Sequence, residues 1–219
     1  VRRIPHLGSK TEIIFVEGHS TDGTFDEIER VMKEWTNLDI QVIRQPGRGK
    51  GDAVRAGFSL ATGDILMILD ADLTVRPEDL AKFYREVESG RGEFINGTRL
   101  IYPIENEAMR LLNYIANRIF AVIFSFILNQ PFTDTLCGTK VLSKKNYEKI
   151  SENRKYFGEF DPFGDFDLIF GAAKLNLKVV EMPIRYNSRV YGETQISRFR
   201  HGFLLIRMVI FAYRKLKII

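Results

Sequence analysis

The sequence predicts an α/β domain, a mostly parallel sheet flanked by helices. Strand-like and helix-like patterns alternate from Glu12 to Gly97, as expected of strands joined by right-handed helical crossovers. Ile65-Leu66-Met67-Ile68-Leu69 is an unbroken apolar run with the length of a strand buried on both faces. The third observation is bulk: 219 residues at 45% hydrophobic can fill a core in one large domain or two small ones. A net charge of +4 is only mildly basic and gives no reason to expect a nucleic-acid partner. One cysteine, Cys137, excludes an internal disulfide and fits a reducing compartment, and His6, His19 and His201 are too scattered to form a metal cluster. No cleavable signal peptide is visible, and Val1-Arg2-Arg3 reads as the middle of a helix rather than the start of a protein.

The first strand is Glu12 to Val16, which runs into a loop of small polar residues and glycine from Glu17 to Thr24. Thr24 and Glu27 have capping-box spacing and predict a helix from Phe25 to about Trp35. Ile40 to Ile43 is the second strand. Gln45 to Gly51 follows as a glycine loop that could cradle a phosphate on its amides, assisted by Lys50 or Arg48. Its spacing is neither the P-loop nor the dinucleotide fingerprint, and a plain strand-to-helix turn is an equal reading. Asp52 to Leu60 reads as a short helix leading to the apolar run, which stops on Asp70-Ala71-Asp72. Residues i and i+2 at a strand end lean to the same side, and two like charges that close need a cation or a shared proton. A hard divalent ion accompanied by a phosphate-bearing substrate meets that need, so a metal-diphosphate site is expected at Asp70 and Asp72. Pro77 opens the next helix with Glu78 and Asp79 in its first turn, and Glu93 to Gly97 is the next strand.

The second half is less regular. Met109 to Leu128 is helical, and its apolar part, Ile119 to Leu128, is too short to cross a bilayer, which leaves a core helix and a membrane-surface helix both open. Asp134 to Thr139 is a polar turn. Phe157, Phe160, Phe163 and Phe166 surround Glu159, Asp161, Asp165 and Asp167, which reads as a set of helix caps or as bases raised by apolar surroundings, with capping preferred for most of them. After a strand near Val179 to Ile184, the segment Arg198 to Lys217 interleaves apolar and basic residues. That is the pattern of a helix lying on an anionic membrane; a helix packed on the domain or a linker to a membrane span is the other reading.

The order of Ser20-Thr21-Asp22-Gly23-Thr24, Gly49-Lys50-Gly51, Asp70-Ala71-Asp72, Gly97-Thr98-Arg99, Asp134 to Gly138, Glu181-Met182-Pro183-Ile184 and Arg189-Val190-Tyr191-Gly192 resembles the family 2 glycosyltransferases. Within them it is most similar to the dolichol- or polyprenyl-phosphate mannosyltransferase-like branch, over about Glu12 to Ile196. The resemblance implies a GT-A type, Rossmann-like sheet, a nucleotide-diphosphate sugar donor, Mg²⁺ or Mn²⁺, and inversion at the anomeric centre. It implies that Glu17, Asp22, Lys50, Asp70 and Asp72 bind the nucleotide sugar, with Asp70 and Asp72 also on the metal. Catalytic roles fall to Asp72 and to Asp167 as a base or sugar-positioning group, and Arg99, Arg110, Asp134 and Arg189 face acceptor or donor phosphates. A lipid-phosphate acceptor is already anionic and needs no strong base. The chain then divides into a transferase domain over 1–197 and a basic membrane-surface helix or linker over 198–219, peripheral at the cytoplasmic face of a membrane, with a polyprenyl phosphate or a related glycan as acceptor.

The resemblance further implies that the family's first strand and its nucleotide-binding loop precede Val1, so that this chain alone should bind nucleotide sugar poorly. Glu17-Gly18 stands where the family carries two adjacent aspartates, Thr74 where some relatives have glutamine, Cys137 for a common serine, and Thr194-Gln195 for Ser-Lys. These departures point to acceptor chemistry that differs from mannosyl transfer to dolichol phosphate. Other classes fit parts of the chain. Asp70 to Thr74 also resembles the nucleophile motif of haloacid dehalogenase-like phosphatases, although that motif sits on a domain's first strand and here two strand-helix units precede it. A sugar nucleotidyltransferase would need a glycine-rich motif on its first strand, and a non-catalytic membrane-surface scaffold of the same fold is the remaining alternative.

Overall fold

In the computed structural model, residues 1–102, 111–157, 161, 164, 166–187 and 198–217 are described. The alternation in the first half is present as β1 (Glu12–Glu17), α1 (Thr24–Glu34), β2 (Asp39–Arg44), α2 (Lys50–Leu60), β3 (Ile65–Met67), a 3₁₀ turn at Pro77–Asp79 leading into α3 (Leu80–Glu88), and β4 (Phe94–Thr98). The second half adds α4 (Leu111–Leu128), β5 (Lys140–Ser143), α5 (Lys144–Glu152), α6 (Arg154–Phe157), α7 (Phe166–Lys174), β6 (Val179–Pro183) and α8 (Arg198–Leu216). Pro77 takes the first-turn position expected of it. The capping box at Thr24 does not form. Gly23 occupies the cap position in a left-handed conformation, Asp22 Oδ1 accepts from the Thr24 N–H and hydroxyl, and Glu27 instead pairs with Arg30. Asp22 satisfies one of the helix's free donors, the Thr24 N–H, from the position just ahead of the Gly23 cap.

The strands lie parallel except β5. They form a two-stranded ladder, β1-β2, and a four-stranded one in the order β3-β5-β4-β6. Glu12, which opens β1, accepts hydrogen bonds from the N–H and hydroxyl of Thr62 just ahead of β3, so β1 and β3 start side by side. No backbone hydrogen bond joins them among the described residues, which leaves β1 and β3 each with an unpaired edge toward the other. The apolar run at Ile65 to Leu69 is accordingly a strand only over its first three residues, paired on one side by β5. Ile13, Ile14, Phe15 and Val16 in β1 are only partly buried, unlike the wholly buried β4.

Alternation along β3, β4 and β5 divides the core. Ile95 and Val141 face α3, where Phe83 is fully buried. Leu66, Phe94 and Leu142 face the opposite side, against Phe124 of α4, Phe170 of α7 and Met208 of α8. On that second face the rows change character toward the carboxyl edge. Next comes the row Ile68, Lys140, Asn96 and Glu181, and beyond it Asp70 lies against Gly138.

Candidate functional site

The site lies where the carboxyl ends of β1 to β4 meet the loop entering β5, the position at which open α/β sheets bind ligands. Glu17 ends β1. It is 4% exposed and accepts from the Ser20 N–H, which holds its carboxyl below the usual range. His19, at φ 64°, sets a ring nitrogen 2.8 Å from the Gln45 carbonyl and ties this loop to the end of β2. Asp22 is exposed beside the start of α1, where its Oδ1 accepts from Thr24, and the Thr24 hydroxyl holds its carboxyl low.

Lys50 is the first residue of α2, and its Nζ lies 2.8 Å and 3.1 Å from the two carboxylate oxygens of Asp70. Both side chains are about one-third exposed, so the pair opens to solvent. Gly138 closes over it. A Cβ at that position would fall 2.1 Å from Asp70 Oδ2 and 2.3 Å from Lys50 Nζ, so only glycine lets the backbone approach this closely. Gly164, at φ 81°, packs with equal closeness on the α2 terminus, since a Cβ there would meet the Gly51 nitrogen at 2.1 Å. Two other segments thus converge on the end of the glycine loop.

Asp72 sits in a turn in which its Oδ1 accepts from the Thr74 N–H at 3.1 Å and the Thr74 hydroxyl at 2.8 Å. Leu73 between them has φ 54°, a left-handed conformation that costs a non-glycine residue roughly 1 kcal/mol or more. Strain of that kind persists where surrounding contacts enforce it, and here it fixes the acidic turn. No cluster of three or more potential metal ligands occurs among the described residues. The donor set nevertheless fits a hard divalent ion, which is commonly held by one or two carboxylates plus ligand phosphates and waters. Asp70 already attracts a cation, the Lys50 ammonium.

Behind this pair lies a buried polar layer that the sequence does not announce. Lys140 is fully buried and donates to the Cys137 carbonyl, fixing the turn that presents Gly138. Glu181 accepts from the Thr133 N–H and hydroxyl at 2.7 Å each, from the Asp134 N–H at 3.3 Å and from Asn96 at 3.2 Å. Burial pushes the Glu181 carboxyl up against the effect of these donors. Arg99 grips Asp134 with a fork of 2.6 Å and 2.8 Å and stacks on Tyr186. Asp134 is fully buried, and its pairing with Arg99, whose side chain is 11% exposed, holds the 134–139 loop. Cys137 is buried as well, and desolvation raises its thiol to about 11, which excludes thiolate chemistry. The signals for this layer are single polar residues inside apolar strands, Lys140 before Val141-Leu142 and Glu181 after Val179-Val180, and only strand register shows that they meet.

Asp167, in the first turn of α7, salt-bridges Arg154 at 2.9 Å. Asp161 caps that helix, accepting from the Gly164 and Asp167 N–H groups, so the capping reading holds for it. Arg110, Glu159, Phe160, Phe163, Asp165 and Arg189 lie outside the described residues, as does the side chain of Phe157.

Residues 2–151 match the family model described as Glycosyl transferase family 2. The chain is 36% identical over 95 residues to dolichol-phosphate mannosyltransferase of Saccharomyces cerevisiae, covering 43% of this chain and 34% of that protein. It is 25% identical over 206 residues to a dolichyl-phosphate beta-glucosyltransferase of Trichomonas vaginalis, covering 91% of this chain and 62% of that one. It thus spans about a third to three-fifths of these curated relatives. Among solved structures, it resembles glucosyl-3-phosphoglycerate synthase of Mycobacterium tuberculosis in complex with Mn²⁺, UDP and phosphoglyceric acid, with TM-score 0.61 at 13% identity, covering 94% of this chain and 68% of that one. It also resembles Staphylococcus aureus TarS in complex with UDP-GlcNAc, with TM-score 0.58 at 14% identity, covering 98% and 61%. Both likenesses are of fold.

Proposed function

This chain belongs to glycosyl transferase family 2, and on that footing we propose that it moves a sugar, with inversion, from a nucleotide-diphosphate sugar to a polyprenyl-phosphate or related lipid-phosphate acceptor. The observation that carries the reading is the Lys50–Asp70 pair beneath Gly138 at the carboxyl edge of the sheet, two residues ahead of Asp72. A departing nucleoside diphosphate gains negative charge as the glycosidic bond breaks, and a positioned ammonium stabilises that charge. Asp70 and Asp72 would hold Mg²⁺ or Mn²⁺, which when bound supplies Lewis-acid neutralisation of the same leaving group. Glu17 stands at the end of β1 for the nucleoside end of the donor. A lipid phosphate attacks without losing a proton, which agrees with Asp167 being engaged by Arg154 rather than poised as a strong base.

The lipid-phosphate acceptor is supported by the two curated relatives named for dolichol substrates, and the nucleotide and metal by the UDP and Mn²⁺ held in the mycobacterial complex. A lipid acceptor puts the reaction at a membrane, in this reading at its cytoplasmic face; no helix among the described residues is long and apolar enough to cross one. The phosphatase reading finds no support, since Asp70 follows β3, the third strand in chain order.

The test is transfer from labelled nucleotide sugars to polyprenyl phosphate by the full-length protein, with and without Mg²⁺ or Mn²⁺, beside Asp72→Asn. The expected result is metal-dependent glycolipid that the variant reduces by about 10²-fold or more. Release of inorganic phosphate without transfer, or unimpaired transfer by Asp72→Asn, overturns the reading.

A further inference from the structure

Two neighbouring helices leave apolar faces uncovered. On α4, Phe124, Ile127 and Leu128 are buried, whereas Ile115, Ile119, Val122 and Phe126 line the opposite side at helical spacing, with Val122 70% and Phe126 68% exposed. On α8, Leu205, Met208 and Ala212 are buried, whereas Phe203, Ile206, Ile210 and Tyr213 stand out, with Phe203 62% exposed. A helix packed on a soluble domain normally turns polar residues outward at such positions. The two helices pack against each other on the same core cluster, which sets their outward stripes side by side. Beyond their C-terminal ends, Lys217 of the α8 terminus donates to Asn129 at 2.5 Å and sets its ammonium 5.0 Å from the centre of the Phe126 ring. The two stripes form one patch, which is unlike scattered surface apolar residues and calls for an occupant.

Charge identifies that occupant. Residues 111–128 and 198–219 contain no aspartate or glutamate but carry Arg118, Arg207, Arg214, Lys215 and Lys217 among their basic residues. Arg207 and Arg214 are exposed, four residues beyond the exposed Phe203 and Ile210, and so flank the α8 stripe. A second copy docked by two-fold symmetry would set this acid-free surface against itself, whereas an anionic headgroup layer complements it. Neither helix is long and apolar enough to span a membrane, so the patch suits an interfacial position. We propose that α4 and α8 together, and not α8 alone, form the face by which this protein lies on an anionic lipid bilayer. The proposal shares with the lipid-acceptor reading only the bilayer itself, and none of the residues around Asp70 enters it.

The test is sedimentation of the full-length protein with vesicles of phosphatidylcholine, alone or mixed with phosphatidylglycerol, in the absence of any sugar donor. The variants are Val122→Ser with Phe126→Ser on α4, and Arg207→Gln with Arg214→Gln on α8. All four positions are exposed, so unchanged thermal unfolding is expected and is checked by circular dichroism. Binding to the anionic vesicles should fall by about tenfold or more in the α4 pair and by about fivefold for each arginine removed. Undiminished binding by the α4 pair reduces the surface to α8 and overturns the proposal. Equal affinity for neutral vesicles removes the charge argument, and self-association abolished by the α4 pair without vesicle binding gives the face to a second copy. Transfer is assayed separately: loss of turnover with vesicle binding intact counts against the catalytic reading and supports this one.

Discussion

Deleting the guanidinium of Arg99 should cost far more than removal of an ordinary arginine, because Asp134 beneath it has no access to water. The perturbation is Arg99→Met, which keeps the apolar stem and leaves a fully buried carboxylate with two backbone donors, the residue-99 N–H at 3.1 Å and the Leu136 N–H at 3.0 Å. Breaking a buried ion pair by removing one partner costs about 3–5 kcal/mol, and the surviving donors place this case near about 3 kcal/mol. That is a large share of the roughly 5–15 kcal/mol that holds a domain together. The pH dependence carries the sharper signature. In the parent protein burial pushes the Asp134 carboxyl up, but the charge and hydrogen bonds of Arg99 outweigh it and hold the group below the usual range. Its contribution is therefore present above the unfolded value of about 4 and is lost as pH falls through the lower folded value. In the variant burial is opposed only by the two backbone donors, the folded value rises, and stability declines as pH rises through it. The gap between the two proteins should widen from about pH 4 to neutrality. Urea unfolding followed by far-UV circular dichroism and the fluorescence of the single tryptophan, Trp35, measures it. A gap below about 1 kcal/mol at pH 7, or one that does not change with pH, would refute the argument.

Gly138→Ala places a methyl group 2.1 Å from Asp70 Oδ2 and 2.3 Å from Lys50 Nζ at a backbone conformation open to alanine. Transfer should drop by about a hundredfold with little change in melting temperature, since flexible side-chain ends give way; parallel loss of both would mean the glycine serves folding alone. Glu181→Gln tests the buried layer by its pH slope. Burial raises the Glu181 carboxyl, so its contribution is complete below the unfolded value of about 4.3 and is lost as pH rises through the folded one. The variant's urea midpoint should lack that decline above about pH 4.5, and superimposable pH profiles would count against it.

Elements whose reasons are local are legible in the sequence. β1, β2, α2 and β4 follow from periodicity and turn chemistry, and Pro77 marks its own turn. The capping-box spacing of Thr24 and Glu27 misplaces the α1 cap, because the left-handed Gly23 takes that position and Thr24 becomes the first helical residue. β5 reads as loop. Four residues beginning with Lys140 carry no strand signal on their own, and their burial depends on pairing with β3 and β4 from both sides. In the site, Asp70 and Lys50 stand out by their motifs. What the chain does not reveal locally is expenditure. Arg99 carries no local sign that the Asp134 carboxylate, 35 residues on, occupies two of its donors.

The register that sets Asn96 between Lys140 and Glu181 also bears on how the sheet comes together. The three residues lie on strands far apart along the chain, so this row forms only once distant segments have found each other, a slow kind of closure. A strand slipped by one residue would turn its polar side chain to the opposite face, among the apolar partners of Ile95 and Val141, which makes the row a check on correct pairing.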